Sequence, residues 1–260
     1  MSDEQPMSFM QHLNELRWRL VRIAVVVLLV AVIIWIFQEW IMDTIFLSLK
    51  DNDFITFQLL CKYFNVCIPD VPATMQSMTM SGQFNYAMTM SLMGGIILSA
   101  PYIFYQIWSF VKPGLKTNEL NLAKGLVFYV SLCFFTGILF GYFIVAPLTV
   151  YFFASFQISS SIENNFTISS YMSTVISTIF YSGLLFLLPI ATYLLTKVGV
   201  FTPEFLVKYR RHAIVVILIL AAVITPPDVL SQIIVSIPIV LLYEIGILVS
   251  KRVAKKNNAN

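Results

Sequence analysis

The sequence predicts an all-α, polytopic membrane protein with six transmembrane helices and with both termini in the cytoplasm. Three observations predict it: the composition, the long runs without charged residues, and the positions of the cations. Hydrophobic residues make up 58% of the 260 residues and charged residues only 11%, whereas a soluble domain carries about 25% charged residues. This composition excludes a disordered chain, a collagen-like fibre and an ordinary cytosolic enzyme. The net charge of +3 is small and its carriers are scattered, so we expect no nucleic-acid partner.

The first element is an amphipathic segment over residues 1–19. Phe9, Leu13, Leu16 and Leu20 recur at helical spacing, so one face of the segment is apolar. A helix of this kind lies at the membrane interface. We expect it to run directly into the first span.

Six spans follow, because a helix that crosses the hydrocarbon core needs about 20 mostly apolar residues. Long apolar runs with few or no charged residues place the spans at about 20–41, 86–110, 125–153, 171–196, 212–224 and 229–249. The last apolar run is too long for one helix, and the consecutive prolines Pro226 and Pro227 divide it. The fifth span is then roughly 20 Å long, which is short for a bilayer.

The cations set the orientation of these spans. With six spans, all but two of the 16 Lys and Arg residues fall on the side that holds both termini, and only Lys50 and Lys62 fall on the other. Short loops rich in Lys and Arg stay in the cytoplasm, so both termini, including the tail 250–260, are predicted to be cytoplasmic. We expect a single membrane domain over residues 1–260, in which the first helix remains as an anchor because no small-residue cleavage site follows it.

The sequence gives little support to catalysis or metal binding. The two histidines, His12 and His212, lie near membrane boundaries, and no clustered metal ligands accompany them. Ser182 could act as an intramembrane nucleophile, but no histidine lies at membrane depth to serve as its base. There is no glycine-rich phosphate loop. We therefore expect neither an enzyme nor a bound metal or cofactor.

Two cysteines, Cys61 and Cys67, fall in the first loop outside the membrane. In an oxidising compartment they could close a small disulfide loop, and they could equally be two free thiols. Cys133 lies inside the third span, where we expect it to be an apolar packing residue.

Two acids on the cytoplasmic side indicate a site that could bind a cationic ligand. Glu15 can form an i,i+4 ion pair with Arg19, or it can be an exposed carboxylate that awaits a cationic partner. Glu119, in the loop after the second span, can complement the dipole of the third helix. Alternatively, Glu15 and Glu119 together can hold a guanidinium ligand in fork geometry.

Two further acids lie at or within the membrane margin, where an ionisable residue is a functional candidate. Asp228 follows the double proline and could simply cap the sixth helix. Glu244 is close enough to Lys251 and Arg252 in the sequence to extend toward the inner interface.

Several ordered motifs between about residues 8 and 252 resemble those of a known family. They are His12-Leu13-Asn14-Glu15-Leu16-Arg17-Trp18-Arg19-Leu20, Leu98-Ser99-Ala100-Pro101, Tyr105-Gln106-Ile107-Trp108-Ser109-Phe110, Pro113 followed by Glu119, Thr225-Pro226-Pro227-Asp228-Val229 with Ser231-Gln232, and Tyr243-Glu244-Ile245-Gly246. The chain resembles the TatC subunit of the twin-arginine protein translocase.

The resemblance implies a six-helix bundle in the cell inner membrane with cytoplasmic termini. It implies a receptor for signal peptides that carry two consecutive arginines, in a complex that exports folded proteins using the proton gradient. The implied partners are single-span TatA-type subunits, TatB where present, membrane lipids and further copies of the chain.

The resemblance also implies site residues. The positions that match the family's signal-peptide site are Glu15, Glu119, Leu16, Arg17, Leu20 and Phe110. The positions that match its partner-docking cluster are Thr225 and Gln232. The chain departs from the family in the fourth helix, where Leu187 stands at a position that is commonly polar.

The alternative interpretation is a small-solute secondary transporter. It predicts inverted repeats and charged residues near the membrane midplane. The sequence has no convincing repeat, and the middle of every predicted helix lacks charge.

Overall fold

The computed structural model describes residues 9–51, 53–64, 75–111, 125–159, 164–197, 199, 201–224 and 229–257. The α-helices are α1 Phe9–Ile36, α2 Gln38–Ile41, α3 Ile55–Phe64, α4 Gly82–Val111, α5 Leu126–Phe140, α6 Ala146–Ser155, α7 Ile168–Leu185, α8 Leu188–Lys197, α9 Pro203–Lys208, α10 Arg210–Ile224 and α11 Val229–Asn257. The predicted all-α class is confirmed.

Five stretches of these helices are long and apolar enough to cross a membrane, counted over the described residues. They are Met10–Ile36, Gly82–Val111, Leu126–Ser155, Ile168–Lys197 and Gln232–Arg252. The remaining predicted span is α10, which has 15 residues. Its length of roughly 22 Å falls short of the roughly 30 Å hydrocarbon core. The first of the five begins inside the amphipathic segment, because α1 is continuous from Phe9 to Ile36.

Two of the spans contain a break that the charge-free runs do not reveal. A π-helical turn, Gly141–Val145, separates α5 from α6. Residues 186–187 form a turn between α7 and α8, with Pro189 at the second position of α8. Proline lacks a donor and clashes with the preceding turn, so a new helix begins there. Leu187 lies in this turn, and its N–H donates to the carbonyl oxygen of Leu184 at 3.1 Å.

The segment after the first span is structured. A π-helical turn, Met42–Phe46, and a 3₁₀ turn, Leu47–Lys50, precede α3. Farther on, the strands β1 Met75–Gln76 and β2 Phe166–Thr167 pair in parallel. The sequence predicts no strand, since two residues are too few to show a strand's alternation.

The described chain divides into two compact units. The first comprises residues 1–38 and 87–132, and the second comprises residues 39–86 and 133–260. In the first unit, α1 and α4 approach closely at Gly95, where an added Cβ would lie 2.9 Å from the carbonyl oxygen of Val27 and 3.1 Å from Cβ of Ala31. Small residues permit this close approach between membrane helices.

In the second unit, α5 and α7 approach even more closely. A Cβ at Gly137 would lie 2.7 Å from the carbonyl oxygen of Ser182 and 2.8 Å from Cα of Gly183. One turn later, a Cβ at Gly141 would lie 3.0 Å from Cα of Ile179. The Gly-x-x-x-Gly spacing thus places two glycines against the backbone of α7.

The second unit also holds a core cluster formed largely by α9, α10 and α11. Its buried members are Val145, Leu206, Ile217, Ala221, Val235, Ile239, Tyr243 and Ile247. Beside this cluster, α11 packs on α8, and the hydroxyl group of buried Thr196 lies 2.8 Å from that of buried Ser250.

Replacing Thr196 with valine is expected to lower the free energy of unfolding by about 1 kcal/mol, because Ser250 loses its partner while the packed volume stays the same. Thermal unfolding of the purified protein in detergent measures the change. The control is Ser173→Ala, which removes an exposed hydroxyl from α7. An equal shift in both variants would contradict the assignment.

Candidate functional site

The predicted i,i+4 pair between Glu15 and Arg19 forms on α1. Arg19 donates from Nε to Oε1 of Glu15 at 2.9 Å, and its Nη2 contacts the same oxygen. The side chains of Arg19 and Glu15 are 17% and 26% exposed. Glu15 is therefore a partly buried, paired carboxylate and not the exposed one that the sequence also allowed.

Arg19 also reaches α4, where it meets a buried amide. Its Nη1 donates to Oε1 of Gln106 at 3.3 Å and lies 3.5 Å from the backbone oxygen of the same residue. The Nε2 group of Gln106 donates to the hydroxyl oxygen of Tyr102 at 2.7 Å. The chain Tyr102–Gln106–Arg19–Glu15 fixes the guanidinium group of Arg19 and, through it, the carboxylate.

The second carboxylate oxygen of Glu15 accepts no hydrogen bond from the described residues. Oε2 is buried, and Nδ1 of His12 lies 4.0 Å away, beyond hydrogen-bonding distance. The ring of His12 stacks on Phe110 with 4.2 Å between ring centroids and 17° between planes. Phe110 thus lies close to Glu15 through its contact with His12, and its part in a signal-peptide site stays a prediction.

The remaining members of the predicted signal-peptide site are distributed as follows. Leu16 is half-buried, whereas Arg17 and Leu20 are exposed on α1. Arg17 lies over the ring of Trp18, 5.8 Å from its centroid. Glu119 lies outside the described residues.

The predicted partner-docking positions and membrane acids fall near the last two helices. Nε2 of Gln232 donates to the carbonyl oxygen of Leu218 at 3.0 Å, which joins α11 to α10. Glu244 accepts a hydrogen bond from Nη2 of Arg210 at 2.6 Å. This partner differs from Lys251 and Arg252, toward which the sequence suggested that the side chain extends. Thr225 and Asp228 lie outside the described residues.

The structure describes two of the three cysteines. Cys61 on α3 is disulfide-bonded, and Cys133 is a free thiol. Cys67 lies outside the described residues, so its pairing with Cys61 stays a proposal. Within the described part of the chain, no group of three His, Cys, Asp or Glu residues could hold a metal ion.

The chemistry available at Glu15 is the binding of a cation. A carboxylate that is removed from water favours a charge-assisted hydrogen bond, and Oε2 has none. Ser182, the nucleophile considered above, is buried, and its hydroxyl group makes no hydrogen bond to the described residues.

The comparison with known proteins decides the family. A family model described as "Sec-independent protein translocase protein (TatC)" matches residues 11–238. The chain belongs to the TatC family. It is accordingly a subunit of the Sec-independent protein translocase and a multi-pass membrane protein that functions in transport. The match does not support the alternative of a small-solute transporter.

Individual TatC proteins align over nearly the whole chain. TatC of Blattabacterium sp. subsp. Periplaneta americana is 36% identical, with 98% of this chain and 99% of the relative covered. TatCy of Bacillus subtilis is 33% identical, with coverages of 97% and 93%. A crystal structure described as the twin-arginine translocase receptor TatC superposes with a TM-score of 0.68 at 30% identity and covers 94% of this chain and 99% of the other.

Sequence reasoning did not assign a role to His12, Tyr102 or Gln106 in this TatC site. A signal for the latter two was present, because Tyr102, Gln106 and Phe110 are spaced at i, i+4 and i+8 and therefore share one face of α4. Gln106 is also a polar side chain within an apolar helix, where such a group requires a partner.

Proposed function

We propose that this TatC protein is the receptor for signal peptides with two consecutive arginines, and that Glu15 and Glu119 bind the two guanidinium groups. The observation that supports the proposal is the buried, unpaired Oε2 of Glu15. A second guanidinium group that reaches this oxygen replaces a desolvated, unpaired acceptor with a charge-assisted hydrogen bond. Such a bond contributes about 1.5–3 kcal/mol.

Arg19 and Gln106 act as positioning residues. Arg19 occupies Oε1 of Glu15 and is itself held by Gln106, so the carboxylate presents Oε2 in a fixed orientation. Preorganisation of this kind lowers the entropic cost of binding.

His12 covers the approach to this oxygen. Its side chain is 42% exposed and is held flat against Phe110. The ring turns aside when the guanidinium group enters, and the face of Phe110 that it leaves can then accept the flat face of that group or an apolar residue of the leader.

The same geometry favours arginine over lysine. A guanidinium group is planar and weakly hydrated, so it can donate to Oε2 while its flat face lies on an aromatic ring, whereas an ammonium group is a compact, strongly hydrated charge. The apolar stretch of the leader then packs against Leu16, Leu20 and Phe110, with Arg17 at the margin.

The charge pattern and membership of the TatC family support the wider setting that we propose for this site. Both termini lie in the cytoplasm, the protein lies in the cell inner membrane, and Cys61 pairs with Cys67 outside it. TatA-type subunits, TatB where present and further copies of the chain assemble around it, with Thr225 and Gln232 at the docking cluster and with Asp228 and Glu244 as supporting acids. The proton gradient supplies the energy for export of folded cargo.

The test compares three versions of one fluorescent leader peptide, with twin arginine, twin lysine or twin glutamine, by fluorescence anisotropy on the purified full chain in detergent. We expect the lysine version to bind about tenfold more weakly than the arginine version and the glutamine version to show no saturable binding. Equal affinity for all three leaders would refute the proposal.

A further inference from the structure

We propose that a cavity at the outer ends of the spans binds the headgroup of an anionic phospholipid. The outer ends are those that the cation pattern predicts to lie opposite the two termini; the third span finishes there and the fourth begins. The cavity has a volume of about 130 Å³ and lies wholly within the second compact unit. This site is separate from the proposed leader site, which involves residues of α1 and α4.

The cationic wall of the cavity is Lys50, the last residue of the 3₁₀ turn that follows the first span. Lys50 is only half-exposed, and the ion pairs found within 4.0 Å among the described residues do not include it. The acid nearest in sequence, Asp51, is exposed and does not line the cavity. A partly desolvated ammonium group without a carboxylate partner favours an anionic ligand.

The lining also supplies hydroxyl groups. Ser170 and Thr174 are one turn apart on α7 and both line the cavity, so their side chains share one face of the helix. Tyr171 also lines it, but its hydroxyl group already donates to the carbonyl oxygen of Phe46. Lys50, Ser170 and Thr174 thus offer one charged and two neutral donors, a set suited to the oxygens of a phosphate group.

The rest of the lining is apolar. Val150 and Phe153 come from the end of α6, and Phe166 comes from β2. A cavity of about 150 Å³ lined by such residues is large enough for benzene. The volume therefore suits the phosphate and glycerol of a lipid, with the first methylene groups against the phenylalanines, rather than a whole acyl chain.

The position of the cavity in the membrane indicates that the phosphate group belongs to a lipid and is not free phosphate. Phe153 and Ser170 lie within two residues of a span end, at the depth where lipid phosphates meet hydrocarbon. Among the described residues that line the cavity, one is a cation and none is an acid, which matches a headgroup with net negative charge. A zwitterionic headgroup would leave its own cation unpaired.

The experiment is native mass spectrometry of the full chain released from detergent with increasing phosphatidylglycerol. We expect Lys50→Gln to lower the apparent affinity for the first bound lipid by about tenfold, the loss expected for one charge-assisted hydrogen bond, and Lys50→Arg to retain most of it. The matched control is Lys62→Gln, which removes an exposed cation from α3 in the same outer segment. It should leave the affinity unchanged.

Three results would overturn the proposal. Equal losses in Lys50→Gln and Lys62→Gln would show a diffuse charge effect and no site. Equal binding of phosphatidylcholine would remove the requirement for net negative charge, and displacement of the lipid by millimolar inorganic phosphate would make free phosphate the ligand. If Lys50→Gln does not fold, Thr174→Leu tests the same cavity. It keeps the charge of Lys50 but places a larger side chain where the headgroup would lie. Unchanged lipid affinity in Thr174→Leu would also contradict the site.

Discussion

Glu15→Gln is expected to weaken binding of a twin-arginine leader by about tenfold to a hundredfold. The substitution keeps the size of the side chain but removes the charge that makes each hydrogen bond to a guanidinium group worth about 1.5–3 kcal/mol. It also weakens the contact with Arg19, because a neutral amide oxygen is a poorer acceptor for a guanidinium group than a carboxylate oxygen. Titration of the labelled leader against the purified variant measures the loss.

The matched control for this variant is Glu204→Gln. Glu204 is an exposed acid on α9, predicted to lie on the same membrane side as Glu15, so both substitutions change the net charge equally. If both variants bound the leader comparably more weakly, leader binding would depend on the net charge of the cytoplasmic face and not on Glu15 itself. Undiminished binding in Glu15→Gln combined with Glu119→Gln would exclude both acids from the site.

Gly137→Ala is expected to prevent normal accumulation of the protein in the membrane. The added Cβ would lie 2.7 Å from the carbonyl oxygen of Ser182 and 2.8 Å from Cα of Gly183. These are backbone atoms of a packed helix, which cannot turn aside as a flexible side chain can. Overpacking of this kind typically costs about 1–3 kcal/mol, and contact with two backbone atoms of one helix lies at the upper end of that range.

Gly125→Ala serves as the control, because its Cβ would meet the mobile edge of the Tyr129 ring at 3.2 Å. Immunoblots of membrane fractions and the thermal midpoint in detergent give the two readouts. We expect Gly125→Ala to match the parent protein in both. Normal levels and an unchanged midpoint for Gly137→Ala would show that α5 and α7 are not held at the distance described.

The positions of the helices were predictable because they depend mainly on the length and hydropathy of each segment. A charge-free run of adequate length forms a helix in lipid whatever its detailed packing, and the double proline between α10 and α11 separates two helices regardless of the context. Hydropathy does not reveal the π-helical turn at Gly141–Val145 or the break at Leu187, because neither changes the local hydropathy.

The candidate site was predictable only in part. Glu15 stands out because it is an acid on a cationic face, and its i,i+4 spacing to Arg19 predicts their ion pair. The partnership of Arg19 with Gln106 joins residues 87 positions apart, and a single sequence holds no signal for which distant residues meet. The pairing of β1 with β2 was missed for the same reason.

The π-helical turn between α5 and α6 has a consequence for insertions and deletions. Such a turn accommodates one residue more than a regular helix would, so deletion of one residue within Gly141–Val145 could restore unbroken α-helix. Each residue of an α-helix turns the chain by about 100°. A deletion within a regular helix would rotate all later residues by that angle, whereas the wide turn takes up the change locally. Buried Thr149 and Val150 would therefore keep their faces, and the span would tolerate a one-residue change in length at this place.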